Sequence, residues 1–156
     1  MKEKNITTKI NVYSYSELTE QDKILVEKAR KVALHAYAPY SKFYVGAAVL
    51  LSNGLIVTGN NQENAAFPSG TCAERSAIYY AHANYPEETV DAIAIAAHHN
   101  GDYVQQPISP CGACRQAILE YETLAKKPLR VLLCGRDEVY EIDSISSLLP
   151  LCFSEF

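Results

Sequence analysis

Cys111-Gly112-Ala113-Cys114 places two thiols three residues apart, directly after Pro110 and before an apolar, helix-like run. A C-x-x-C pair has two common meanings, half of a zinc site or a thiol-redox pair. At the start of a helix both are served, because a helix N-terminus favours the thiolate. Cys72 shifts the balance towards metal. It too precedes a helix-like run, after Pro68-Ser69-Gly70-Thr71. Three cysteines at two helix starts supply three thiolates and leave a tetrahedral zinc one open position, as in a catalytic site. The alternative is a closed site completed by Cys134, Cys152 or a histidine.

Glu74 speaks against closure. A carboxylate beside an open metal position can take a proton from water and return it to a leaving group. Residues i and i+2 of a regular helix point about 200° apart. Cys72 must therefore sit at the cap if Cys72 and Glu74 are to share a site. A glutamate in a first helical turn is, alone, an ordinary dipole-favoured residue. The combination Cys-x-Glu with Pro-Cys-x-x-Cys is far more specific than either part.

These residues need a scaffold, and the chain's patterning predicts one. Thr19-Glu20-Gln21-Asp22 has the form of a capping box. Ile24, Leu25, Ala29, Val32, Ala33 and Ala36 follow at helical spacing, up to a stop at Pro39. Tyr44–Leu51 and Leu55–Gly59 flank the turn signal Ser52-Asn53-Gly54, as a hairpin would. A second helix is expected from Cys72 to about Asn84, then a buried strand over Val90–Ala97. A third helix follows Cys114, with strands at Leu129–Cys134 and Val139–Ile142 and a short helix over Ser144–Leu149. The order predicts an α/β fold with helices against a mixed central sheet.

Composition narrows the function. The 156 residues are 48% hydrophobic and 21% charged, with a formal charge of −4. That is the balance of a globular domain with a real core, and a poor one for a nucleic-acid polymer or an anionic membrane. The eleven tyrosines are scattered, with no basic stripe beside them. No apolar run reaches membrane-spanning length, and Met1–Ile10 is polar without a signal-like segment. A cytoplasmic location is expected, with the five cysteines reduced or metal-bound. Cys134 reads as a buried small hydrophobe; His35, His82, His98 and His99 read as packed or surface residues.

Thr71-Cys72-Ala73-Glu74-Arg75-Ser76-Ala77 and Ser109-Pro110-Cys111-Gly112-Ala113-Cys114-Arg115-Gln116 strongly resemble the two zinc motifs of the small homotetrameric cytidine deaminases. Ala38–Phe43, Val45–Ala48, Asn61–Ala65 and Leu148–Pro150 also match, so the resemblance runs from about Ala29 to Phe153. It implies a three-layer α-β-α fold with a mixed five-stranded sheet. It divides the chain into an N-terminal extension, 1–16, and a catalytic domain, 17–156. It also implies one zinc per subunit on Cys72, Cys111 and Cys114, with water or hydroxide as the fourth ligand and Glu74 shuttling protons. The implied reaction is hydrolysis of cytidine and 2′-deoxycytidine to the uracil nucleosides and ammonia. Asn61 and Glu63 match ribose contacts. Phe43 and Ala73 match base-site residues, and Phe153 matches an aromatic that enters a neighbouring subunit's pocket. Arg75 matches a residue that hydrogen-bonds the ligand sulfurs. Three thiolates overcompensate Zn²⁺ by one charge, and a nearby cation restores Lewis acidity. Two positions depart from the common pattern: Asn60, often cysteine, and Phe67, often tyrosine. The alternatives are another nucleoside deaminase, such as the blasticidin-S type, or a structural-zinc or thiol-redox module.

Overall fold

The structure is a computed structural model that describes residues 1–154; residues 155 and 156, the end of the expected catalytic domain, lie outside the described residues. Thr19 caps helix α1 (Glu20–Ala33), its hydroxyl oxygen accepting from the Asp22 N–H at 3.1 Å. The helix ends at Ala33, short of the stop expected at Pro39. Two i+3 bonds, from the N–H of His35 and of Ala36, tighten its last turn. Tyr37 then exchanges backbone hydrogen bonds with Asn61 and Glu63, which draws the chain out of the helical path.

Strands β1 (Asn11–Ser14), β2 (Tyr44–Leu51), β3 (Ile56–Asn60), β4 (Val90–His99), β5 (Asp102–Tyr103), β6 (Arg130–Cys134) and β7 (Glu138–Ile142) form one seven-stranded sheet. Its order is β1-β7-β6-β4-β2-β3, with β5 paired to β4. Only β4 and β6 run parallel, joined through helix α3 (Gly112–Ala125); helix α2 is Ala73–Asn84. The mixed sheet is as expected, but it has seven strands rather than five. Both additions are too short to carry a hydrophobic period. β1 arises within the N-terminal extension and pairs with β7, Val12 opposite Tyr140. β5 is made by the Asn100-Gly101 turn, both residues at positive φ (53° and 86°), the tight hairpin geometry that Asn-Gly favours.

Alternation along the central strands builds two cores. Val49, Ile93, Ile95, Val131 and Leu133 pack with Ala77, Ile78 and Ile118 of α2 and α3. Ala48, Ala92, Ala94, Ala96 and Leu132 pack with Leu25, Val26 and Ala29 of α1. The result is three layers, α1 on one face and α2 and α3 on the other. Glycines allow the helices to lie close. A Cβ at Gly46 would fall 2.2 Å from the Ala29 carbonyl oxygen, and one at Gly59 would fall 2.5 Å from the Ala77 nitrogen. The second contact seats α2, and with it Cys72, against the strand that leads to Asn61.

Candidate active site

Cys72 is the N-cap of α2 and Cys111 the N-cap of α3, both with extended backbone (φ −75° and −65°). The cap position frees Cys72 from the helical period, so it and Glu74 can face one site. The carbonyls of Cys72 and Cys111 accept the first helical bonds, from the N–H of Ser76 and of Arg115. No side chain caps either helix, so the first-turn N–H groups face the sulfurs' end of each helix without a side-chain acceptor.

The ligand atoms of Cys72, Cys111 and Cys114 all lie within 4.8 Å of one another, with Cys72 Sγ and Cys111 Sγ 3.9 Å apart. Tetrahedral zinc–thiolate bonds of about 2.3 Å would space the sulfurs by about 3.8 Å. Donor set and spacing thus fit zinc. Cys134 and Cys152, free and partnered in neither case with this cluster, do not close it. Cys134 is buried, and burial pushes its thiol up to about 12. Exposure is graded: Cys114 is buried, Cys72 half-buried and Cys111 exposed, so the cluster is backed by the core and open on one side.

The local field favours a thiolate. Hydrogen bonding from the Cys114 thiol, reinforced by Arg75 and Cys111, holds Cys72 down to about 5 against its partial burial. Cys114, as donor, is pushed up. Arg75 Nη2 lies 3.9 Å from Cys72 Sγ. Glu74, the second residue of α2, is only 5% exposed. Burial raises its pKa, and the neighbouring Cys72 charge raises it further. A carboxyl moved above its ordinary range can hold a proton as well as take one.

A cavity of about 530 Å³ opens beside the cluster, with Cys72 and Arg75 in its lining. Asn61, Glu63, Asn64, Tyr40, Ser41, Phe67 and Thr71 also line it. Its size and mixed polarity suit a small ligand. Glu63 Oε2 accepts from the backbone N–H of Tyr40 (2.9 Å) and Ser41 (3.2 Å). The Ser41 hydroxyl, chiefly, holds its pKa below the ordinary glutamate range. Asn61 is a staple at the start of β2: its Oδ1 accepts from Val45 N–H at 2.7 Å and its Nδ2 donates to the Phe43 carbonyl at 3.0 Å. The two departures from the common pattern take local roles. Asn60 Nδ2 donates to the Val32 carbonyl, and the exposed Phe67 ring meets Tyr40 edge-on at 6.1 Å.

The fold thus gathers Cys72, Cys111, Cys114, Glu74 and Arg75 at two helix starts and brings Asn61 and Glu63 to the adjoining cavity. Of the gathered residues only Cys72, Arg75, Asn61 and Glu63 line that cavity; Glu74, Cys111, Cys114, Phe43, Ala73 and Phe153 are not in its lining. Ala73 is buried as the first residue of α2, where its N–H precedes the helical bonding pattern. Phe43 is half-buried, 5.5 Å from the His99 ring. Phe153 is 68% exposed, its carbonyl accepting from Gln116 Nε2 at 2.8 Å. From the sequence, His99 reads only as a packed or surface residue and Tyr40–Ser41 only as part of a matching segment, with no role at the cavity for either. No spacing signals them, since their places follow from strand register and a turn.

A three-layer α/β/α scaffold with three thiols on paired helix starts, a buried carboxyl among them and an open cavity alongside defines a zinc-hydrolase type of site. Residues 19–127 match the family model for the cytidine and deoxycytidylate deaminase zinc-binding region, and the chain belongs to that family. It is 38% identical over 132 residues to a cytidine deaminase of Halalkalibacterium halodurans, covering 84% of this chain and 92% of that one. A cytidine deaminase of Sporosarcina psychrophila is also 38% identical, over 84% of this chain and 90% of its own. Among solved structures, the cytidine deaminase of Burkholderia pseudomallei superposes with a TM-score of 0.70 at 38% identity, covering 87% of this chain and all (100%) of that one. The Mycobacterium tuberculosis cytidine deaminase gives 0.68 at 30% identity, over 88% and 99% of the two chains.

Proposed function

We propose that this protein hydrolyses cytidine and 2′-deoxycytidine to uridine and 2′-deoxyuridine with release of ammonia, in pyrimidine salvage. The observation that carries this reading is the buried Glu74 beside three converging thiols, one of which, Cys72, lines an open cavity. Cys72, Cys111 and Cys114 would hold a zinc ion, which would supply Lewis acidity towards water at neutral pH. Arg75, on the Cys72 sulfur, draws charge from the thiolates and preserves that acidity.

Glu74 moves the protons. It takes one from the attacking water as the oxygen bonds to C4 of the cytosine ring and delivers it to N3. It then carries the second proton to the 4-amino group, which leaves as ammonia. The raised pKa suits a group that must both accept and donate. Glu63, held ionised by the Tyr40–Ser41 turn, accepts from a ribose hydroxyl, with Asn61 beside it. Phe43 covers the pyrimidine, and the Ala73 N–H faces the base from the helix start.

We assign the chemistry to residues 17–156, with 1–16 as an arm whose strand β1 braces the sheet edge. The protein works in the cytoplasm as a homotetramer, each site completed by Phe153 of a neighbour; the exposure of that ring in a single chain supports this. A borrowed ring adds apolar area and excludes water.

The test is a substrate panel read by ammonia release and ultraviolet absorbance, with elemental analysis. One zinc per chain and turnover of cytidine and deoxycytidine are expected, with Cys111→Ala losing both metal and activity. CMP should be a poor substrate, because Glu63 at the ribose end repels a phosphate. Active metal-free protein, or a zinc protein that deaminates no nucleoside, overturns the reading. Mixing inactive Glu74→Gln and Phe153→Ala chains should restore some activity in reassembled tetramers; an active monomer removes the shared site.

A further inference from the structure

We propose that His99, at the end of β4, is a positioning residue for the nucleoside cavity: it fixes the turn Tyr40–Phe43 from behind. The proposal rests on the nucleoside reading of the cavity and adds to it a residue that no motif contains.

The turn is pinned at both ends. At its start, Glu63 Oε2 accepts from the N–H of Tyr40 and of Ser41, two residues that line the cavity. At its end, His99 Nδ1 lies 2.9 Å from the Lys42 carbonyl oxygen. A carbonyl can only accept, so this nitrogen carries the proton. Lys42 stands at φ 56°, in the left-handed region where a side chain is disfavoured and an external hydrogen bond has most to hold. The next residue is Phe43, whose ring meets the His99 imidazole at 5.5 Å with a 48° tilt. One side chain therefore holds the strained residue by a hydrogen bond and the following aromatic by ring contact.

His99 is itself well placed to hold them. It lies one residue beyond the Tyr44–His98 pair of the β2–β4 ladder, and the β4–β5 hairpin pairs it with Asp102. Its neighbour His98 packs between Tyr44 and Tyr103. The adjacent histidines thus divide their work, His98 packing the hairpin and His99 bracing the cavity wall. His99 is absent from the cavity lining, so it acts through the turn and Phe43 rather than on the ligand.

A brace on a binding wall affects ground state and transition state alike, and its loss raises KM with kcat preserved. Three variants separate its two contacts. His99→Phe keeps a ring and removes the donor; His99→Asn keeps a donor near Nδ1 and removes the ring; His99→Ala removes both. For His99→Ala we expect KM for cytidine to rise roughly three- to tenfold, the scale of one ordinary hydrogen bond and its packing. The other two should fall between it and wild type, with kcat within about twofold and zinc content unchanged. Phe43→Ala combined with His99→Ala should bind worse than Phe43→Ala alone by less than the full His99→Ala effect, since only the Lys42 hydrogen bond is left to lose. A wild-type KM in His99→Ala, or additive effects in the double variant, overturns the proposal while leaving the deaminase reading intact. A general loss of folded protein and zinc in all three variants, with KM of the active fraction unchanged, likewise overturns it. A wild-type protein that deaminates no nucleoside overturns both.

Discussion

Two carboxylates are buried among the described residues, each only 5% exposed and each in the first turn of a helix. Asp22 of α1 is enclosed by partners. Thr19 donates its hydroxyl to it at 2.7 Å, and Arg130 reaches it at 2.9 Å while also holding Glu141 at 2.7 Å. Asn11 of β1 donates to the same Glu141. That network ties the start of α1 to β6, β7 and β1. Glu74 of α2 has no ion pair among the described residues; its surroundings are thiols, the helix backbone and more distant Arg75, and burial raises its pKa. The same side-chain class at the same kind of helix position is ion-paired in one place and left without an ion pair in the other, the environment that the proposed proton transfer needs. Desolvation without compensation costs stability and keeps a proton available.

The sharpest way to break this contrast is to neutralise each acid in turn. Glu74→Gln keeps the shape and cannot cycle a proton. Its kcat should fall by about 10²–10⁴-fold or more, with zinc and melting temperature retained. Most of wild-type kcat surviving would remove Glu74 from the chemistry. The next effect in size belongs to Asp22→Asn, which should cost about 1.5–3 kcal/mol of stability, as for a hydrogen bond to a charged group. Its kcat per folded molecule should stay at wild type. Denaturant unfolding and active-site titration read the two quantities separately, and a catalytic loss without a stability loss would reverse the assignment.

The smallest effect concerns a third carboxylate, Glu63, whose pKa is lowered by hydrogen bonds in the folded chain. The folded form then binds fewer protons than the unfolded one between the lowered and the ordinary glutamate pKa. Its contribution to stability is full above the ordinary value and is lost as pH falls through the lowered one. The melting-temperature advantage of wild type over Glu63→Gln should therefore shrink on acidification through that window. An advantage that stays constant across it would show that the turn does not hold Glu63 ionised.

The sequence also shows where its own reach stops. The Thr19 cap, the two cysteine-capped helices and the alternating central strands are local facts, written in side chains a few residues apart. Each rests on a short-range rule, a cap accepting an N–H or a side chain falling every second residue on one face. Cys-x-Glu and Pro-Cys-x-x-Cys likewise specified donors and chemistry before any distance was known. Convergence of the sulfurs was a different matter. Cys72 and Cys111 are 39 residues apart. The order of the central sheet, the close seat of α2 over Gly59 and the crossover into α3 bring them within reach. Tertiary structure alone also made β1 a strand, because an isolated four-residue segment has nothing to pair with until β7 is in place. It ended α1 early, where Tyr37 found backbone partners in Asn61 and Glu63. It alone placed His99 behind Phe43, since a long-range contact depends on strand register and turn geometry, which no local pattern of residue types records.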